Sequence, residues 1–188
     1  KYQNFYDQIV KKISPKQICT DKLHTLAYGT DASFYRLIPK IVIKTDNAKE
    51  VQDIIELSNS MNLSITFRAG GTSLSGQAIS DSILIITSRN FSNFKIASDV
   101  SYISLEPALT GAQVNGLLAR YSKKIGPDPA SINAAMIGGI AANNASGMCC
   151  GISQNSYKTL KSMKLIFSDG TKLDTSCEKS KDWFRKTH

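Results

Sequence analysis

The apolar positions of this chain change period as it runs. Over residues 1–14, Tyr2, Phe5, Tyr6, Ile9, Val10 and Ile13 recur at helical spacing. They predict a docking helix that Pro15 ends. Residues 27–36, Ala-Tyr-Gly-Thr-Asp-Ala-Ser-Phe-Tyr-Arg, follow no period and read as an ordered loop. A regular alternation then begins. Ile41-Val42-Ile43 is a short apolar strand, and Asn47 and Glu50 stand at capping-box spacing, with Asp46 as a second cap candidate. Val51, Ile54, Ile55, Ser58 and Met61 share one helical face. Leu63, Ile65 and Phe67 alternate with Ser64 and Thr66 as a strand. This is a β-α-β unit of about 27 residues, long enough for a crossover, so its two strands are expected to be parallel.

Residues 83–87 form the next apolar strand, and 94–97 and 102–106 read as two more. Thr110 and Gln113 make a capping box, and Val114, Leu117, Leu118 and Tyr121 form the buried face of the helix it starts. Residues 126–131 are turn-rich, and 134–147 are small, apolar and glycine-rich. Met163, Leu165 and Phe167 alternate as a strand, and Asp169-Gly170 turns a hairpin into residues 172–174. Residues 181–188 read as the opening of another element. The pattern predicts an α+β fold: an N-terminal helix and loop over 1–36, a first subdomain over 37–88, and a second over 89–188, with a mixed or antiparallel sheet and inserted helices.

Composition narrows the class. The 188 residues suffice for one domain or two small subdomains sharing a core. A hydrophobic share of 41% and a charged share of 20% are those of a globular protein. The longest strictly aliphatic run, Ile83-Leu84-Ile85-Ile86, is far too short to span a bilayer. The net charge of +8 raises nucleic acid or anionic lipid as partners. The lysines, however, are scattered, with neither a basic helix nor an aromatic-basic platform for stacking bases. The charge reads as a solvated surface that also favours an anionic cofactor. Cys19, Cys149, Cys150 and Cys177 show no C-x-x-C spacing, so a zinc or iron–sulfur site made by this chain alone is not expected. A reducing, cytoplasmic setting is expected. Cys149-Cys150 reads either as a redox-active pair or as two small buried residues. The chain opens at Lys1 without a methionine or signal segment, and the expectation is a piece of a longer protein.

Two stretches carry candidate chemistry. The first is Arg68-Ala69-Gly70-Gly71-Thr72-Ser73-Leu74-Ser75-Gly76-Gln77. Adjacent glycines let main-chain N–H groups converge with no Cβ in the way, and Thr72, Ser73 and Ser75 add hydroxyl donors. Such a nest suits a pyrophosphate. It is neither a Walker A loop nor a G-x-G-x-x-G fingerprint, and by itself it reads equally as a tight chain reversal. The second is Gly126-Pro127-Asp128-Pro129-Ala130-Ser131 followed by Ile137-Gly138-Gly139-Ile140-Ala141-Ala142-Asn143-Asn144-Ala145-Ser146-Gly147. Its small residues admit a flat ligand or another backbone, and a buried Asn143 or Asn144 could meet a ligand's ring edge.

Together, in this order and with Leu105-Glu106-Pro107 and Ser168-Asp169-Gly170, these stretches resemble the FAD-binding domain of vanillyl-alcohol-oxidase-like (PCMH-type) flavoproteins. Within that group the resemblance is to the D-lactate dehydrogenase and glycolate oxidase family. Residues 28–36 and 148–157 look closest to bacterial members that carry a C-terminal iron–sulfur domain. The resemblance implies that Ala69, Gly70, Gly71, Thr72 and Ser73 wrap the FAD pyrophosphate by backbone amides, and that Ser75, Gly76 and Gln77 complete the loop. It places Pro127, Asp128, Ser131, Ile137, Gly138 and Gly139 between pyrophosphate and flavin, and Asn143, Ala145 and Gly147 along the ribityl chain and ring. Ala108 stands where the family often has glycine, and Cys150 where it often has an aromatic residue.

The histidines, His24 and His188, lie in no matching motif, so non-covalent FAD is implied. The implied reaction is oxidation of a D-2-hydroxy acid such as D-lactate to the 2-oxo acid by hydride transfer to flavin N5. Electrons would leave to a quinone or an iron–sulfur centre in the C-terminal part, and the full protein could associate peripherally with the inner face of the membrane. The family's substrate groups lie in a later cap domain, so no catalytic residue is named, and the isolated stretch is expected to be inactive and to hold FAD weakly. The alternatives are another flavoenzyme of the same fold (a sugar-nucleotide reductase or the flavin subunit of a hydroxylase) and, from a different class, a basic nucleic-acid-binding domain.

Overall fold

The computed structural model of the protein describes residues 1–187; His188 lies outside the described residues. Two runs of branched apolar residues set the centre. In β2 (Ile41–Thr45) and β4 (Ile83–Thr87), the side chains of Ile41, Val42, Ile43, Ile83, Leu84 and Ile85 are all buried. A strand covered on both faces has no polar alternation, which is why these runs read as continuous apolar stretches. β2 and β4 pair in parallel, β3 (Ile65–Arg68) joins β4 in parallel, and β1 (Ile18–Cys19) adds an antiparallel edge, giving the order β1-β2-β4-β3. The expected parallel relation of β2 and β3 therefore holds, but β4 lies between them: the most apolar strand takes the centre of the sheet.

Ile41, Ile43, Ile83 and Ile85 meet Phe5 and Ile9 of α1 (Tyr2–Ile9) and Ile54 of α3 (Ala48–Ser60) in one core cluster. α1 stops at Ile9, and Pro15 opens a short 3-10 turn rather than closing the helix. Between them, α2 (Lys22–Ala27) is started by Asp21, whose carboxylate accepts the His24 N–H; its few apolar positions gave no period to read. α3 begins at Asn47, whose side chain accepts the Glu50 N–H at 3.0 Å. Glu50 reaches back to the Asp46 N–H at 2.8 Å instead of to Asn47's own.

The second half is built from smaller pieces. β5 (Phe94–Ile96) and β6 (Ile103–Leu105) form one antiparallel ladder, and β7 (Lys164–Ile166) and β8 (Lys172–Asp174) another. α4 (Gly111–Ala119) carries the full Thr110/Gln113 capping box, and its Val114 and Leu118 pack with Leu109 into a second core, while Tyr121, expected on the buried face, is 37% exposed. α5 (Ile137–Ala142) lies in the small-residue region, α6 (Ser156–Thr159) comes after it, and α7 (Glu178–Thr187) follows β8. The β7–β8 turn, with Gly170 at φ 86°, reaches α3, where Gln52 donates to the Gly170 carbonyl at 3.2 Å. Among the described residues no helix is long and apolar enough to cross a membrane.

Candidate functional site

Residues 69–78 leave the C-terminal end of β3, where loops of an open parallel sheet are placed to bind ligands. Gly71 and Gly76 adopt φ values of 67° and 72°, a region that other residues enter only with strain. Among the described residues, the main-chain N–H groups of Gly70, Gly71, Thr72 and Ser73 donate to no partner, although all four residues are half-buried. A row of unsatisfied amides at that depth calls for an acceptor, and an anion supplies the best one. The Ser73 hydroxyl is occupied within the loop: it accepts the Ser75 and Gln77 N–H groups at 3.1 and 3.3 Å and donates to the Gln77 side chain at 3.2 Å. Ser73 therefore shapes the turn, and Ser75 and Gln77 are exposed.

Residues 28–36 brace this loop from behind. Arg68 donates to the Thr30 carbonyl at 2.6 Å, Ala32 N–H donates to the Gly71 carbonyl at 3.1 Å, and the Asp31 carboxylate accepts the Ala78 N–H at 3.3 Å. No periodicity or motif in the sequence singled out Asp31 or Ala32. The available signals were an unperiodic stretch that read as ordered and the family resemblance of residues 28–36 as a block.

The small-residue segment lies against the same loop. A Cβ on Gly70 would sit 2.3 Å from the Ala134 carbonyl oxygen, and one on Gly139 would sit 3.3 Å from the Ala69 Cβ. The two stretches singled out in the sequence thus meet in space, at 69–70 and 134–139. Further along, a Cβ on Gly147 would fall 2.1 Å from the Asp128 carbonyl oxygen, and Asp128 accepts the Cys150 N–H at 3.1 Å. Burial opposes ionisation of Asp128, but hydrogen bonds from the Cys149 and Cys150 thiols and amides outweigh it and hold the carboxyl below its usual value. Pro127 is buried, and the Ser131 carbonyl accepts the Ala134 and Ala135 N–H groups at 2.8 and 2.7 Å.

The amides at the start of α5 are mostly in use, since Ile137 and Gly138 donate to the Leu109 and Pro107 carbonyls at 2.8 and 3.0 Å. The buried Ser156 hydroxyl bonds the Ile140 and Ala145 carbonyls at 3.1 and 2.8 Å and locks the end of the segment. Two expectations need correction. Asn143 is exposed and donates to the Gly139 carbonyl, while half-buried Asn144 accepts the Tyr157 N–H at 2.9 Å, so neither is a buried group awaiting a ligand. Cys150 is buried but Cys149 is exposed, because the chain turns between them, so the two are not a buried pair.

The geometry defines an α+β domain whose glycine loop leaves a row of amides without partners among the described residues, beside a second small-residue segment. The residues fit a phosphate group: the donors are neutral main-chain amides of consecutive residues. The FAD binding domain family profile matches residues 39–176. The chain belongs to that family. It is 24% identical over 176 residues to the D-2-hydroxyglutarate dehydrogenase of Escherichia coli (strain K12), covering 92% of this chain and 17% of that protein. It is 28% identical over 139 residues to the glycolate oxidase subunit GlcD of the same organism, covering 68% of this chain and 27% of that protein. Among solved structures, alkyldihydroxyacetonephosphate synthase superposes with a TM-score of 0.81 at 17% identity, covering 97% of this chain and 38% of that one. The α+β fold of PCMH type is thus established, and the chain spans about a sixth of the dehydrogenase it matches.

Proposed function

We propose that this chain is the FAD-holding portion of a flavin-dependent dehydrogenase that oxidises a D-2-hydroxy acid, such as D-lactate or D-2-hydroxyglutarate, to the 2-oxo acid. The observation that carries the reading is the row of amides at half-buried Gly70, Gly71, Thr72 and Ser73 without partners among the described residues, in a loop whose Ala69 and Gly70 pack against residues 134–139. Ala69–Ser73 hold the pyrophosphate, and Gly76 keeps the loop folded behind it. Pro127, Asp128, Ser131 and Ile137–Gly139 form the wall between pyrophosphate and flavin. Ala145 and Gly147, with Asn143 at the exposed rim, run along the ribityl side. When bound, FAD supplies the hydride acceptor at N5. These residues place the cofactor and exclude water from one side; the groups that bind the substrate carboxylate and take the hydroxyl proton come from outside them.

FAD is held without a covalent bond. His24 sits on α2 with its ring 2.8 Å from the Asp21 carboxylate, and His188 lies outside the described residues. The electron acceptor is a quinone or an iron–sulfur centre in the remainder of the protein, which works in the cytoplasm or at the inner membrane face. Residues 1–188 alone hold FAD weakly and are inactive; the exposure of Phe34, Leu74, Met148 and Ile152, in or near the candidate stretches in sequence, supports a reading in which another segment covers them.

The test is the absorbance spectrum of the full chain as its gene encodes it. Flavin bands bleached by D-lactate or D-2-hydroxyglutarate are expected. A yellow protein that neither acid bleaches overturns the substrate class and leaves the cofactor. A folded protein that stays colourless with added FAD, and binds DNA in a salt-sensitive way, overturns the reading.

A further inference from the structure

Residues 31–38 contribute little to either core; most of them are exposed, and Phe34 wholly so. Yet the stretch around them holds the glycine loop at its start, middle and end. At the start, Arg68 donates to the Thr30 carbonyl at 2.6 Å and to the Tyr28 carbonyl at 3.5 Å, with its guanidinium 5.9 Å from the Tyr28 ring centre. The same guanidinium fills the space beneath Gly71, where a Cβ would fall 2.6 Å from it. At the middle, the Gly71 carbonyl accepts the Ala32 N–H at 3.1 Å. At the end, the Asp31 carboxylate accepts the Ser33 N–H at 2.8 Å and the Ala78 N–H at 3.3 Å, while the Tyr35 ring lies against Gly76.

The middle contact has a direct consequence. In a trans peptide the C=O and the following N–H point in opposite directions. Pulling the Gly71 carbonyl toward Ala32 therefore turns the Thr72 N–H to the other side of the loop. It also turns away from the nest a carbonyl oxygen that would repel a phosphate. A Gly-Gly loop left to itself samples both orientations of this peptide, so something outside the loop has to choose between them.

We infer that residues 28–36 are a clamp that sets the 71–72 peptide with its N–H outward, and that Asp31 and Arg68 are positioning residues of the pyrophosphate loop. The inference rests on the FAD reading given above. Arg68 anchors the strand end and occupies the space beneath Gly71. Asp31 fixes the loop's exit at Ala78, which keeps Ala32 within reach of Gly71. Neither side chain touches the cofactor.

The experiment compares the full chain, as its gene encodes it, with Asp31→Asn and Arg68→Lys. Asparagine offers one acceptor where Asp31 bonds two N–H groups, and lysine cannot serve two carbonyls while lying flat under Gly71. FAD affinity of the apoprotein is measured by flavin fluorescence, its thermal midpoint without FAD by circular dichroism, and amide hydrogen exchange at Thr72 and Ala78 by NMR. Each variant is expected to weaken FAD about tenfold, to lose FAD-induced protection of the Thr72 amide, and to keep its thermal midpoint without FAD. If Asp31→Asn does not fold, Arg68→Lys carries the test. FAD binding within about twofold of the unaltered protein once the Ala78 amide exchanges freely overturns the clamp and leaves the FAD reading intact. A loss of affinity that only tracks a fall in the midpoint also overturns the clamp. Failure of the unaltered protein to bind FAD overturns both.

Discussion

The two glycine-rich stretches look alike as sequence and do different physical work. In the first, at 69–77, Gly71 and Gly76 supply backbone angles that L side chains avoid, and the result is a row of amides without protein partners. In the second, at 126–147, none of the glycines has positive φ; Gly126, Gly138 and Gly147 each stand where a Cβ would strike another part of the chain. There Ile137 and Gly138 donate to Leu109 and Pro107, while the N–H groups of Gly126, Gly139 and Gly147 meet no acceptor among the described residues. The first stretch turns on left-handed glycines, and the second is shaped by close seating of chain on chain, as Gly70 is within the first. Glycine content alone marks neither role. What separates them is the left-handed backbone at Gly71 and Gly76, which no glycine of the second stretch shares.

The largest effect follows from the second role. In Gly147→Val the added atoms meet the Asp128 carbonyl oxygen and carboxylate, both 2.1 Å from the first of them. Main chain cannot swing aside as a flexible side chain can, so a loss of about 3 kcal/mol of unfolding free energy is expected, near the upper end for overpacking. Urea unfolding of the full chain measures it. If the stability hardly changes, the tight-seating account of the second stretch is wrong.

Gly71→Ala tests the first role. Left-handed backbone in a non-glycine residue costs about 1–2 kcal/mol, and the new methyl displaces the Arg68 guanidinium beneath it. Stability should fall by that modest amount while FAD binding falls at least about tenfold, because a tilted nest loses several amide bonds together. Titration of the apoprotein, set beside its urea curve, separates the two losses. A variant that loses stability alone would erase the distinction drawn between the stretches.

Much of this was legible before any coordinates, and the legible parts share a property: they are local. The buried runs of β2 and β4, the Thr110/Gln113 box and the Asp169-Gly170 turn depend on neighbours within a few residues. Both candidate stretches were found in the same way, since glycine spacing is a local signal. What could not be read depends on contacts across the chain. Periodicity cannot say that β4 enters between β2 and β3, because either order buries the same side chains. Nor can it say that Asn143 faces solvent or that Cys149 and Cys150 part company, since a single turn of irregular chain decides both. The role of Asp31 was out of reach for the same reason: its partner Ala78 is 47 residues away.

A smaller effect distinguishes the bracing of the two stretches. Asp128 holds the second one by accepting from Cys149 and Cys150, and its carboxyl lies below the ordinary aspartate value. A carboxyl lowered on folding lends stability that is complete above its unfolded value of about 3.9 and is lost as pH falls toward the folded one. Acid should therefore loosen the second stretch. Asp128→Asn should be less stable than the unaltered protein at neutral pH, and the gap should narrow as pH drops through that range. Paired urea curves at neutral and acid pH would show it. A gap that stays constant would mean the Asp128 charge is not what holds Cys150.

The smallest effect concerns a glycine that serves neither role. Gly116 lies in α4, exposed, and a Cβ there would meet nothing within 4 Å. It has no positive φ and no close neighbour, so its one physical consequence is the extra freedom it gives the unfolded chain. Gly116→Ala should therefore stabilise the protein by about 0.5–1 kcal/mol, the cost of glycine in a helix interior, and leave FAD affinity unchanged. The sign is the point of the measurement. At Gly147 a side chain destabilises by collision, at Gly71 it weakens the cofactor nest, and at Gly116 it adds stability. If Gly116→Ala instead weakened FAD binding, α4 would have to be moving with the second stretch, whose Ile132 and Ala135 carbonyls accept from the first residues of that helix at 3.1 and 3.0 Å. The wall beside the cofactor would then be a jointed element rather than a fixed one.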